Sequence, residues 1–135
     1  MKKTIAAISV SFLLSSCAVL DTMKLAKFDA NEYRSVVDLR SYAQIVTPFC
    51  DEQYFDYELV MRLHMLSTSM FNYTQFLPNN DDTIEMVKTL HEIVRQFKSK
   101  YDSSGFVSQN YCRLKLQQIE RSARRIQETI GGKNR

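Results

Sequence analysis

The sequence predicts an all-α fold, a four-helix bundle with helices alternating up and down, and three observations predict it. Glycine (three) and proline (two) are scarce and tryptophan is absent, a composition that suits helices better than a sheet built on many turns. Four stretches carry apolar residues at steps of three and four, which places those residues on one side of a helix. Between the stretches stand short turn-formers at Pro48, Pro78-Asn79-Asn80-Asp81-Asp82 and Asp102-Ser103-Ser104-Gly105. Connections that short make successive helices antiparallel neighbours.

The first helix is expected over about 31–47, with Val36, Leu39, Ala43 and Val46 inward and Asn31 as N-cap. Pro48 disfavours helical backbone at Thr47 and so ends it. The second is expected over about 51–77, with Phe55, Leu59, Leu63, Leu66, Met70, Tyr73 and Leu77 as its seam. Asp51 and Glu52 suit the positive end of its dipole. Its opposite side carries Tyr54, Tyr57, Met61 and Met65; a helix apolar on both sides is either the central member of its bundle or half of an interface. The third, about 82–101, turns Ile84, Val87, Leu90, Val94, Phe97 and Tyr101 inward. In the fourth, about 108–130, Cys112, Leu116, Ile119, Ala123, Ile126 and Ile130 are separated by four, three, four, three and four residues. That is a heptad-type seam suited to shallow packing angles. Ser108 can cap its start and Gly131-Gly132 its end.

Ahead of these helices, Lys2 and Lys3 precede a short apolar run closed by Leu14-Ser15-Ser16-Cys17, the pattern of an export signal. A membrane-spanning helix would need about twenty apolar residues, whereas this run is shorter and contains Ser9, Ser11, Ser15 and Ser16. Leu14-Ser15-Ser16-Cys17 resembles the lipobox of bacterial lipoproteins. The resemblance implies cleavage before Cys17 and a diacylglycerol on its sulfur. It divides the chain into a signal peptide (1–16), a lipidated tether (17–30) and a helical bundle domain (31–135). Each buried CH₂ contributes about 0.8 kcal/mol and more than one acyl chain makes attachment long-lived. Ala18 stands where enterobacterial lipoproteins retained at the inner membrane have aspartate, so the resemblance implies an outer-membrane protein facing the periplasm. Losing Lys2 and Lys3 takes the formal charge from +3 to +1, too little to attract polyanions by net charge.

With Cys17 committed to lipid, Cys50 and Cys112 remain in an oxidising compartment. One disulfide is expected of them, the alternative being two separately buried thiols. No C-x-x-C spacing supports a redox or zinc motif. In an up-down bundle the starts of the second and fourth helices share one end, and these cysteines sit there. A bond would close a loop of about sixty residues, stabilise the fold by roughly 4 kcal/mol on the chain-entropy model, and pin the fourth helix beside the second.

No catalytic constellation or metal site is expected. His91-Glu92 opens an H-E-x-x-H pattern, but residue 95 is arginine. His64 and His91 therefore read as ordinary helix residues. There is no G-x-S-x-G, and three glycines cannot build a phosphate cradle. The pairs Asp51-Glu52 and Asp81-Asp82 are accounted for by helix N-terminal charge. No cofactor beyond the lipid on Cys17, no small-molecule substrate and, in this compartment, no nucleic acid is expected. Arg113, Lys115, Arg121, Arg124, Arg125, Lys133 and Arg135 form a basic stretch. It either complements the acidic second helix and its own helix C-terminus, or contacts lipid head groups, lipopolysaccharide or an acidic partner. Tyr54, Tyr57, Met61 and Met65 are the best partner-binding candidates, since aromatics and methionine are enriched in interface cores; core packing against neighbouring helices competes with that reading. Phe71 and Phe76 are weaker candidates.

These features point to a non-enzymatic lipoprotein that binds another envelope protein, by laying a partner helix into a groove beside the second helix. In the placement of Cys17, Cys50 and Cys112 the chain resembles pilotins of the type II secretion system. Those are lipoproteins of four helices, with a disulfide joining the starts of the second and fourth, that escort secretin subunits to the outer membrane. The alternatives are a phage- or plasmid-encoded lipoprotein acting in superinfection exclusion or as the outer-membrane half of a lysis complex, and an inhibitor of a periplasmic enzyme.

Overall fold

The computed structural model describes residues 26–52 and 55–134. Four α-helices, α1 (Ala30–Val46), α2 (Tyr57–Thr74), α3 (Asp81–Ser104) and α4 (Gln109–Gly131), are joined by short connections, the first of which contains a 3₁₀ turn, Thr47–Asp51. The fold is the expected all-α bundle.

α1 begins one residue earlier than expected, because the cap is Asp29 and not Asn31. The Asp29 carboxylate accepts the Glu32 N–H at 2.7 Å from an extended backbone. Its inward line is Glu32, Val36, Leu39, Ala43 and Val46, all buried. Pro48 then opens the separate 3₁₀ turn that carries the buried Cys50. Because the chain leaves this turn extended at Glu52, α2 starts at Tyr57 and not near residue 51. Asp56 caps it by accepting the Glu58 N–H at 2.9 Å. Asp51 and Glu52 thus lie outside the helix whose dipole they were expected to serve.

The inward line of α2 is also rotated toward α3. Val60, Leu63, Ser67, Met70 and Thr74 are buried, while Leu59 and Leu66 pack half-buried along the border and Tyr73 is exposed. The turn after α2 places Asn79 at φ 56°, a left-handed conformation that asparagine tolerates better than most residues. α3 runs three residues past its expected end and stops at Gly105, whose φ of 72° lets its N–H reach Tyr101 O at 2.8 Å. In α4 all six residues of the heptad-type seam are buried, and Ser108 caps the start by accepting the Tyr111 N–H.

Cross-helix contacts make every neighbouring pair antiparallel. Arg40 meets Glu120 while Asp51 meets Arg113 (α1 and the turn with α4); Tyr57 meets Asp102 while Phe71 meets His91 (α2 with α3). Tyr42 lies under Arg62 while Asn31 reaches Tyr73 (α1 with α2), and Lys115 meets Gln96 while Thr129 meets Met86 (α4 with α3). Around the core the order is α1, α2, α3, α4, and among the described residues the diagonal pairs bring no Cα atoms within 8 Å of each other. The fourth helix is therefore not beside the second, as expected, but between α1 and α3. The disulfide is present: Cys50 and Cys112, with Cα atoms 5.7 Å apart, tie the 3₁₀ turn to the first turn of α4.

At the opposite end of the bundle, which we call the Asn134 end, the chain enters. The Phe28 N–H donates to Asn134 O at 2.9 Å, and Lys27 pairs with Asn134 in an isolated bridge. The last residues of the segment expected as a tether are thus docked. Here three polar side chains distant in sequence close on one another. Glu32, with none of its surface exposed, accepts from Asn80 Nδ2 at 2.6 Å and from Lys133 Nζ at 2.9 Å, and Lys133 also donates to Asn80 Oδ1. Asn80, at the N-cap position of α3, spends its side chain on this network and not on the helix.

Candidate functional site

A helix rotates about 100° per residue, so with Leu63 and Met70 inward, Met61 and Met65 of α2 point away from the core. Met65 is 65% exposed and Met61 is half-buried beside it. Tyr57, one turn earlier, is 41% exposed but anchored at the α3 border. Its hydroxyl donates to Asp102 Oδ1 at 2.8 Å, Lys98 Nζ lies 5.8 Å from its ring centroid, and Lys98 donates to Asp102 at 2.6 Å. The bonds from Lys98 first, and then from Tyr57, hold the Asp102 carboxyl below its usual range. Beneath this rim Phe55, Phe97 and Tyr101 pack ring against ring, and Tyr101 donates to Phe55 O at 2.7 Å. Burial pushes the Tyr101 hydroxyl up to about 12. Tyr54 and Cys17, with the rest of the lipobox, lie outside the described residues. Phe71 is half-buried, and Phe76 is 82% exposed at the Asn134 end.

His64 and His91, read from the sequence as unconnected helix residues, are brought together. Their rings lie 5.7 Å apart across the α2–α3 border, and Phe71 stacks on His91 at 5.6 Å. Burial first, and next the charge of Lys98, holds the His64 imidazole below its ordinary value. For His91 the causes are burial and then His64. Ser67 Oγ lies 3.1 Å from His91 Nδ1, which has the outline of a nucleophile–base pair. The serine, however, is 1% exposed and donates its proton to His64 O at 3.0 Å, so the pair is closed to a substrate. Zinc sites use at least three protein ligands, and no group of three His, Cys, Asp or Glu residues stands together among the described residues.

The basic stretch of α4 is dispersed by the fold. Arg113 pairs with Asp51 at 3.1 Å, Arg124 with Glu120 at 3.0 Å, and Lys133 is spent on Glu32. Burial alone would raise the Glu120 carboxyl, but the hydrogen bonds and charges of Arg124 and Arg40 outweigh it and hold it low. Arg121 and Arg125 make no ion pair among the described residues, and Arg135 lies outside them. The stretch is thus not one free cationic face. A cavity of about 530 Å³ opens at the Asn134 end against Asp81, Asp82 and Glu128.

Sequence reasoning missed the Glu32–Asn80–Lys133 network and the histidine pair. One signal was available for the first. Glu32 falls four residues before Val36, in phase with the apolar line of α1, as Ser67 and Thr74 fall in phase with Leu63 and Met70.

Comparison with known proteins found no matching family model, no matching curated protein and no matching solved structure. No described helix is long and apolar enough to cross a membrane.

Proposed function

We propose that the chain is a non-enzymatic outer-membrane lipoprotein, acylated at Cys17, whose periplasmic bundle binds another envelope protein across the outward side of α2. It serves as a pilotin-like escort or accessory subunit. The observation that carries this reading is the 65% exposure of Met65, with Met61 and Tyr57 next to it, on a helix that already buries a complete inward line. Tyr57 is tied to α3 through Asp102, but the exposed side chain of Met65 adds little to the packing of the bundle. Methionine adapts to varied partners, and an amphipathic helix laid against such a stripe would bury it.

The test uses the acylated full-length protein and its Met65→Lys variant in pull-downs from solubilised envelopes. The wild type should recover a defined envelope protein, and Met65→Lys should lose about tenfold in capture while its unfolding free energy stays within about 0.5 kcal/mol. Equal capture by the variant, or recovery of no envelope protein by the wild type, overturns the proposal. The Met61→Lys variant separates interface from core: weakened capture with an intact fold places Met61 in the contact surface, and global unfolding places it in the core. Acylation is checked separately, by metabolic palmitate labelling and the mass of the N-terminal peptide beginning at Cys17.

A further inference from the structure

The two ends of the bundle differ in what they can reach. From Cys17 to Ala26 there are nine residue steps, which span at most about 30–32 Å when fully extended. α3, with 24 residues, is about 36 Å long at 1.5 Å per residue. A chain acylated at Cys17 and entering at Ala26 therefore reaches the bilayer with slack at the Asn134 end, whereas its disulfide end could meet the bilayer only with the tether drawn out to about its full length along the bundle. The exposed apolar residues Ile45, Phe49, Phe106 and Leu114 lie at that far end, where contact with lipid would cost the tether nearly all its conformational freedom.

The Asn134 end is within reach and carries the most exposed of the large apolar side chains. Phe76 is 82% exposed and directly precedes the 77–80 turn. That turn lines one crevice with Lys27, Phe28 and Asp29, where the chain enters. Tyr73, one turn of chain before, donates its hydroxyl to Asp29 at 3.1 Å, which holds the end of α2 against the entering segment. The exposed charges around the entry and the cavity beside it include Lys27, Asp81, Asp82 and Glu128, and with three acids to one lysine these give no cationic field with which to hold an anionic partner. The available contact is apolar, and exposed Phe side chains of membrane-resting elements bury at the boundary between head groups and acyl chains.

We propose that the Asn134 end rests on the bilayer that holds the acyl chains, with Phe76 immersed at the head-group boundary. This inference rests on the lipoprotein reading above. It also leaves the outward side of α2 pointing along the membrane and the disulfide end pointing away from it.

The chain contains no tryptophan, so a single substitution supplies a unique reporter. Phe76→Trp and, at the far end, Phe106→Trp are made in the full-length acylated protein. Both positions lie outside the helices and are exposed, so neither substitution disturbs the core. Each variant is reconstituted into phosphatidylethanolamine–phosphatidylglycerol vesicles with and without brominated acyl chains. Emission from Phe76→Trp should fall about twofold in brominated vesicles, and that from Phe106→Trp by less than about a tenth. Protein that does not float with the vesicles defeats the lipoprotein reading itself. Flotation with no more quenching at residue 76 than at residue 106 leaves that reading standing and overturns the orientation. A blue shift at residue 76 that grows with protein density without bromine quenching means a second copy covers Phe76, and also overturns it.

Discussion

Replacing Lys133 with methionine should destabilise the bundle far more than the removal of one lysine near its described end would suggest. Methionine keeps the apolar stem and removes the charge, so the Glu32 carboxylate, with no exposed surface, loses the ammonium 2.9 Å from Oε2. The Asn80 amide still donates to Oε1 at 2.6 Å, but Asn80 Oδ1 loses its donor. Removing one partner of a buried ion pair costs about 3–5 kcal/mol, because the other charge stays buried without compensation. The Lys133 side chain is itself 9% exposed and admits some water, which puts the expected loss near the lower bound, about 3 kcal/mol. With a urea m-value of roughly 1.5 kcal/mol/M, the unfolding midpoint followed by far-UV circular dichroism should fall by about 2 M. Glu32→Gln should cost less than Lys133→Met, since the lysine left behind lies closer to water. The double variant should recover most of the loss, with a coupling of at least about 2 kcal/mol. A Lys133→Met midpoint within experimental error of the wild type, or a double variant no more stable than the lysine variant alone, would refute the account of this network.

Reduction, or the Cys50→Ser/Cys112→Ser pair, opens a loop with a sequence separation of 62 residues and should cost about 4 kcal/mol on the chain-entropy model; a midpoint shift worth under about 1 kcal/mol would contradict it. Acidification should weaken the bundle through His64 and His91, which face each other amid Lys98, Asp102, Arg95 and Glu92. Both native imidazoles titrate below the ordinary 6.5, so the unfolded chain binds protons first. Stability is complete above 6.5 and declines as pH falls from there toward the lowered native values. The carboxylates held low, Glu92, Asp102 and Glu120, lose their contribution only further down, below the usual carboxyl range. Urea midpoints of wild type and His91→Gln across this range check the assignment; an identical pH dependence in the two proteins would remove it.

Local pattern was enough wherever the needed information lies within one turn of chain. The α4 seam from Cys112 to Ile130 was legible because steps of three and four state which side of a helix is apolar, and every one of those residues is buried. The breaks near Pro48, Pro78 and Gly105 were legible because proline and glycine restrict or free the backbone locally, although Thr47, expected to be non-helical before Pro48, keeps helical angles and the α-helix tightens there into the 3₁₀ turn. Pairing of Cys50 with Cys112 was an expectation that rested on the lipobox resemblance setting Cys17 aside, with two free thiols as the alternative, and the structure has the bond. In the candidate site, periodicity set Met61 and Met65 on the side of α2 opposite its seam but left open whether that side was core, and only packing decided that Met65 is exposed.

What the pattern could not state was which neighbour each side meets. The start of α2 follows from the extended exit at Glu52 and the cap at Asp56, and its phase, with Val60, Ser67 and Thr74 facing inward, is set by packing against its neighbours. The position of α4 between α1 and α3 arises from packing around a common core and not from any residue of α4 itself. Glu32 meets Lys133 across 101 residues and His64 meets His91 from another helix. By itself, then, the sequence determined the four helices and most of their apolar sides, because propensity and periodicity act over a few residues. Only the tertiary structure decided the order of neighbours and the buried charge network, because an ionised group can be taken out of water only when a partner from elsewhere in the chain arrives to meet it.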